Sequence, residues 1–320
     1  MNHRRLGRTA LKVSELCLGT MNFGPRTGEA DSHAILDSAI DLGINFIDTA
    51  NQYGGDGGVG TTETMLGTWL ARDPARRDRI VLATKVYEPM SADINDRGLS
   101  ARHIIMACDA SLRRLRVDYV DLYQFHHIDR AAPMDEIWQA VDRLVAQGKI
   151  IYAGSSNFPG WKIAQACETA KASHRLGLVA EQGLYNLIER RAELEVIPAC
   201  AEYGLGLLAW SPLAGGLLAG AGETGDRRQT GAIADARAAR ADQLVRFEAL
   251  CADLGETPSA VALAWTLHQP GVTSALIGPR TIDQLAAVGH VPELKLSPEA
   301  LTRLDAIFPP CGPAPEAYAW

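Results

Sequence analysis

A chain of 320 residues with 47% hydrophobic and 22% charged side chains has the balance of a globular protein with a large core, and one domain spanning 1–320 fits better than two. Its net charge of −7 and pI near 5.6 argue against a broad nucleic-acid or anionic-membrane surface, leaving room only for a local basic pocket. No stretch is long and apolar enough to span a bilayer, and the N-terminus lacks the layout of a secretory signal. The six cysteines are scattered, with no CxxC pair and no histidine at ligand spacing, so they read as reduced thiols in a cytoplasm rather than as a metal site.

In chain order, His3 to Leu6 and Leu11 to Val13 flank Gly7 and suggest a β-hairpin. Eight β-type runs then alternate with segments of helical period: Leu16 to Gly19, Ile44 to Thr49, Ile80 to Val86, Tyr119 to His126, Ile150 to Ser155, Leu178 to Gln182, Leu205 to Trp210 and Ser274 to Gly278. Eight βα units predict an α/β fold, a closed (β/α)8 TIM barrel. The intervening segments carry apolar residues three and four apart, as in Ile35, Ala39 and Ile40 or Leu112 and Leu115, which suits one helical face against the sheet. Gly43, Gly148 and Gly204 each stand where a left-handed cap would end a helix before the next strand. Outside the repeat lie a Gly/Ala/Arg-rich insert from Ala219 to Arg240, expected to include a mobile loop, and extra C-terminal helices. A helix over Ala241 to Leu254 and a second opened by Thr257-Pro258 precede the eighth strand, whose own helix starts at Thr281, and a final helix opened by Ser297-Pro298 leads to an irregular tail.

On such a barrel, strand carboxyl ends converge on one mouth, so Asp48, Lys85 and His126 face each other with Tyr53 just beyond Asp48. An ammonium beside a phenol favours the phenolate. Lys85, oriented by Asp48, would therefore make Tyr53 a usable proton donor and acceptor, and a neutral His126 could polarise a carbonyl oxygen. Singly, Asp48 reads equally well as a turn residue, Tyr53 as a surface aromatic and Lys85 as a snorkelling lysine; their joint position at matching strand ends argues for a site. Strand alternation puts His126 and His127 on opposite sides if the strand continues. This set moves protons and supplies no electrons, so a reduction would need a bound cofactor.

Over nearly its whole length the chain resembles the aldo-keto reductase family, through INFIDTANQY, LATKV, DLYQFH, GSSNF and WSPLAGGLL. The resemblance implies NADPH, with NADH as the alternative, and reduction of a small-molecule carbonyl. It implies that Ser156, Asn157 and Gln182 hold the nicotinamide carboxamide, that Trp210 stacks on its ring, and that Ser211, Leu213 and Gly215 approach the pyrophosphate. IGPRTIDQL implies Arg280 on a 2′-phosphate and Gln284 towards the nucleotide. Competing readings make Ser156 and Asn157 caps of the helix near Pro159, Trp210 a core side chain and Arg280 a solvated one. Ala287 and Val288 replace polar residues frequent in the family, and Gly220-Ala221-Gly222 lacks its usual lysine. By position, Phe23, Tyr87, His127, Tyr318 and Trp320 would wall the substrate. The loops look closest to actinobacterial members, some acting on nucleotide-linked keto-deoxysugars, for which Arg227, Arg228, Arg237 and Arg240 would supply charge unless they are a solvated loop. Some family members instead serve as regulatory subunits of membrane channels, the alternative function.

Overall fold

The hydrophobic alternation of the strands is resolved into two faces by the barrel that they close. A computed structural model of the chain describes residues 1–220 and 231–314. Its N-terminal hairpin pairs β1 (His3–Arg5) with β2 (Lys12–Ser14) antiparallel. Eight parallel strands follow: β3 (Leu16–Gly19), β4 (Phe46–Asp48), β5 (Val81–Val86), β6 (Val120–Phe125), β7 (Ile150–Ser156), β8 (Leu178–Leu184), β9 (Gly206–Trp210) and β10 (Val272–Ile277). They close in sequence order, with β10 pairing back onto β3.

Inward-facing Cys17, Phe46, Val81, Ala83, Leu122, Ala180 and Leu208 form a core inside the barrel, which the hairpin's Leu6 and Val13 extend. Gly7 turns the hairpin under this end with φ +54°; a Cβ there would stand 2.3 Å from the Val179 carbonyl oxygen, closer than any side chain allows. Arg4 fastens the hairpin, donating to Val272 O at 2.6 Å and pairing with Glu15 at 2.6 Å.

The outward residues, such as Ile47, Leu82, Tyr123 and Phe125, pack against the helices in a larger core. The helices are α1 (Glu29–Asp41), α2 (Thr61–Arg72), α3 (Ala75–Asp78), α4 (Ala101–Leu115), α5 (Met134–Ala146), α6 (Gly160–Ala172), α7 (Val196–Tyr203), α8 (Gly231–Ala238), α9 (Ala241–Asp253), α10 (Pro258–His268), α11 (Ile282–Ala286) and α12 (Pro298–Ile307). Gly43, Gly148 and Gly204 have positive φ after α1, α5 and α7, as their place in the sequence requires. Thr257, Thr281 and Ser297 cap α10, α11 and α12, each accepting a backbone N–H three residues on at 3.2 Å. The insert after Ala219 contains helix α8; Arg227 and Arg228, with the Ala221-Gly222 pair, Tyr318 and Trp320, lie outside the described residues. No helix among the described residues is long and apolar enough to cross a membrane.

Candidate active site

Period-two alternation explains why distant residues meet. Phe46 and Asp48, then Ala83 and Lys85, then Leu122 and Gln124, share the inner face of β4, β5 and β6, the apolar member below and the polar one at the mouth. Register sets Lys85 beside Gln124 and Ser156 beside Gln182.

The Lys85 ammonium is fully buried and has three acceptors: Asp48 Oδ2, Thr49 O at 2.9 Å and the Tyr53 hydroxyl at 3.4 Å. Asp48, 1% exposed, also accepts from Gln124 Nε2 at 2.8 Å and Gln182 Nε2 at 2.9 Å. Burial opposes the ammonium, but the Asp48 carboxylate and the Tyr53 oxygen outweigh it and hold Lys85 above its ordinary range.

For Tyr53 the outcome differs from the expectation. Burial raises its phenol above the usual value, and Lys85 only offsets part of that, because the nearby Asp48 charge adds to the rise. The phenol therefore stays protonated. His126 stacks edge-on against it with centroids 5.9 Å apart, and burial, then Lys85, then His127 bring that imidazole down to about 2, so it is neutral.

Two expectations need correction. β6 ends at Phe125, so alternation no longer separates the histidines: His126 and His127 stack at 4.9 Å and 12°, and both line the same cavity. Phe23 is fully buried in the outer core and bridges Thr27, because the loop after β3 turns its ring inward; it is no substrate wall. Tyr87 sits outside the cavity lining, its ring edge-on to His127 at 5.5 Å.

The cavity is about 580 Å³ and runs from Asp48, Tyr53 and His126 past Trp210 to Arg280. Along it Asn157, itself at φ 59°, donates to His126 O and Ser156 Oγ, both at 3.1 Å, and accepts from the Trp210 indole at 3.0 Å. Ser156 donates to the Gln182 carbonyl at 2.9 Å. Neither residue's side chain caps α6, whose N-cap is Pro159. Trp210 is only half-buried, which removes its reading as a core side chain.

Beyond it the backbone is left-handed at Ser211, Ala214, Gly215 and Gly216, a concave run of the kind that holds anions; Leu213 lines it, and Ser211 Oγ accepts from Gly215 N at 3.0 Å. Arg280 lines the far end without a side-chain hydrogen bond among the described residues, while Gln284 accepts from its backbone N–H at 2.9 Å. Ala287 and Val288 line that end too. Arg237, in contrast, pairs with Glu248 at 3.2 Å.

Two buried residues were missed from the sequence. Gln124 braces Asp48 and stands two positions before His126, a signal that alternation carries. Glu181 faces outward from β8, accepts from Ser155 Oγ at 2.5 Å and from Phe158 N at 3.0 Å, and so ties down the segment around Asn157. Burial, against those hydrogen bonds, pushes its carboxyl up to about 8.

Compared with known proteins, residues 15–308 match the model of the aldo/keto reductase family. The chain is 50% identical, over the full length of both, to an uncharacterized oxidoreductase, YrpG, of Bacillus subtilis. It is 32% identical to a versiconal hemiacetal acetate reductase of Aspergillus parasiticus, over 97% of this chain and 98% of that one. A putative voltage-gated potassium channel subunit beta of Schizosaccharomyces pombe is 34% identical over 95% and 92%. The chain thus belongs to the aldo/keto reductase family, and is an NAD(P)H-dependent oxidoreductase.

Proposed function

We propose that the protein reduces an aldehyde or ketone with NADPH, using Tyr53 as the general acid. The observation that carries this is the Lys85 ammonium, bound to Asp48 and reaching the Tyr53 hydroxyl at 3.4 Å in the mouth of the cavity. Because the Tyr53 oxygen accepts from Lys85, its own hydrogen is left to point elsewhere, towards a carbonyl oxygen in the cavity. As that oxygen gains charge, Tyr53 gives up its proton and the Lys85 ammonium stabilises the phenolate formed. Neutral His126 donates from one ring nitrogen to the same oxygen and orients it. A nicotinamide cofactor supplies the hydride when bound.

The residues fit such a group. Gln182 commits its amide N–H bonds to Asp48 and Gln124, which leaves its oxygen for a carboxamide donor, while Ser156 and Asn157 line the same wall. The fixed, half-buried Trp210 offers a face for a ring. The left-handed residues 211 and 214–216 suit a pyrophosphate, and the Arg280 guanidinium, without a side-chain hydrogen bond among the described residues, suits a 2′-phosphate, which favours NADPH over NADH. Within the carbonyl class, a nucleotide-linked keto-deoxysugar is the narrower reading; the Arg237–Glu248 pair removes one charge that would have supported it. A regulatory, channel-associated role is the second reading, favoured by the relatives named potassium channel subunits beta.

The test is NADPH and NADH oxidation against simple aldehydes, ketones and a nucleotide-linked keto sugar, for wild type and Tyr53→Phe. Turnover lost in the variant, with NADPH still quenching tryptophan fluorescence, is the expected result. Binding without turnover on every carbonyl would favour the regulatory role, and no binding would sink the cofactor assignment.

A further inference from the structure

No spacing of histidines and cysteines in the sequence suggests a metal site, yet the fold brings Glu88, His126 and His127 together with one ligand atom from each within 4.8 Å of the others. We infer that these three side chains bind a divalent transition metal of the Zn²⁺ class, and that its occupation blocks carbonyl reduction. The second half rests on the reductase reading above; the first does not.

Two imidazoles and a carboxylate are a donor set that suits Zn²⁺ and its neighbours and is too nitrogen-rich for Mg²⁺ or Ca²⁺. A Zn²⁺ ion with bonds of about 2.0–2.1 Å sets neighbouring ligand atoms about 3.3 Å apart. One edge already has that length: His127 Nε2 lies 3.1 Å from Glu88 Oε1. Closing the third corner takes a shift of up to about 1.5 Å, which His127 and Glu88 can supply, because their side chains are 40% and 27% exposed. His126 is 8% exposed, and its Nδ1 has no hydrogen-bond partner among the described residues, so that nitrogen does not tie the ring to the protein. The two rings stack 12° apart, so bringing one ion into the plane of both takes a turn of the more exposed His127 side chain.

The consequence follows from position. His126 is the residue assigned to the carbonyl oxygen, and it lines the cavity beside Tyr53. A cation held there withdraws its ring from the substrate and sets a metal-bound water or the metal itself where the carbonyl would enter. The site would therefore regulate or poison the reaction rather than assist it.

Cobalt(II) chloride reports on the ligand geometry through its visible absorption, independently of turnover. Added to the full chain in phosphate-free buffer, in a Cys311→Ser background that removes the exposed thiol, it should give a four-coordinate spectrum that zinc chloride abolishes. In Glu88→Gln and His127→Ala the spectrum should weaken and the apparent zinc affinity fall by at least about tenfold. Each variant's zinc inhibition of NADPH oxidation, scaled to its own metal-free rate, should weaken in parallel. No cobalt spectrum, or one indifferent to both substitutions, would overturn the site. A spectrum without inhibition would overturn the block alone. A protein that binds cobalt but reduces no carbonyl would retain the site while refuting the reductase reading.

Discussion

The Lys85 ammonium has an acceptor for each of its three hydrogens, and Asp48 answers it with donors from two glutamines. Losing one brace leaves a buried polar gap that costs on the order of 1–3 kcal/mol. Gln124→Leu should accordingly lower kcat by roughly tenfold with KM little changed, since Gln124 acts through Asp48 and is absent from the cavity lining. A change confined to KM would contradict that role. The second residue-scale expectation concerns pH. His126, lowered from 6.5 to about 2, is neutral at any working pH, and Tyr53, raised, stays protonated. The kcat of carbonyl reduction should then be flat from about pH 5 to 9. An inflection near 6.5 would show that His126 is not held neutral. Asp48, Lys85 and His126 were legible in the sequence because each stands where a strand ends, and Tyr53 because it follows just beyond Asp48. Gln124 was legible only by the same period-two argument carried one step back, and the burial that decides the direction of the Tyr53 shift was not legible at all, since it depends on everything packed around the ring.

Among the elements, the N-terminal hairpin shows how local pattern and tertiary contact divide the work. Alternation and Gly7 announce two short strands, but a two-stranded hairpin is marginal alone; Arg4 and the apolar pair Leu6 and Val13 hold it under the barrel. Gly7→Ala would thrust a Cβ to 2.3 Å from Val179 O and 2.7 Å from Gly204 O while forcing an L-residue at φ +54°. We expect a loss of at least about 2 kcal/mol by urea denaturation. A loss below about 0.5 kcal/mol would mean that the hairpin lifts away at no cost. The glycine C-caps and the Ser/Thr caps are local devices and read directly from sequence, as does the placement of the helices that they bound. The end of β6 does not: one residue less of strand turns His127 from the far side of the sheet to the cavity.

For the whole molecule, two buried groups set opposing pH slopes on stability. His126 has its folded value lowered, so its contribution is present above 6.5 and is lost as pH falls. Glu181 has its folded value raised from 4.5 to about 8, so its contribution is full below 4.5 and declines as pH rises to about 8. The slopes oppose each other between 4.5 and 6.5; from 6.5 to 8 only that of Glu181 continues. Over that window these groups predict a loss of about 2 kcal/mol, a few degrees in Tm. Glu181→Gln should remove the slope, measured by thermal melts at several pH values. An unchanged slope would show that Glu181 is ionised in the folded chain.

The sequence by itself determined the eightfold βα repeat, the convergence of Asp48, Tyr53, Lys85 and His126, and the family, because hydrophobic period, capping residues and strand-end position are local and survive in one dimension. Only the tertiary structure decided that Phe23 is core, that the two histidines share a wall, that Glu181 braces the Asn157 segment, and that Glu88 joins the histidines. Each of those depends on burial and on contacts between residues far apart in the chain, and neither is written in spacing.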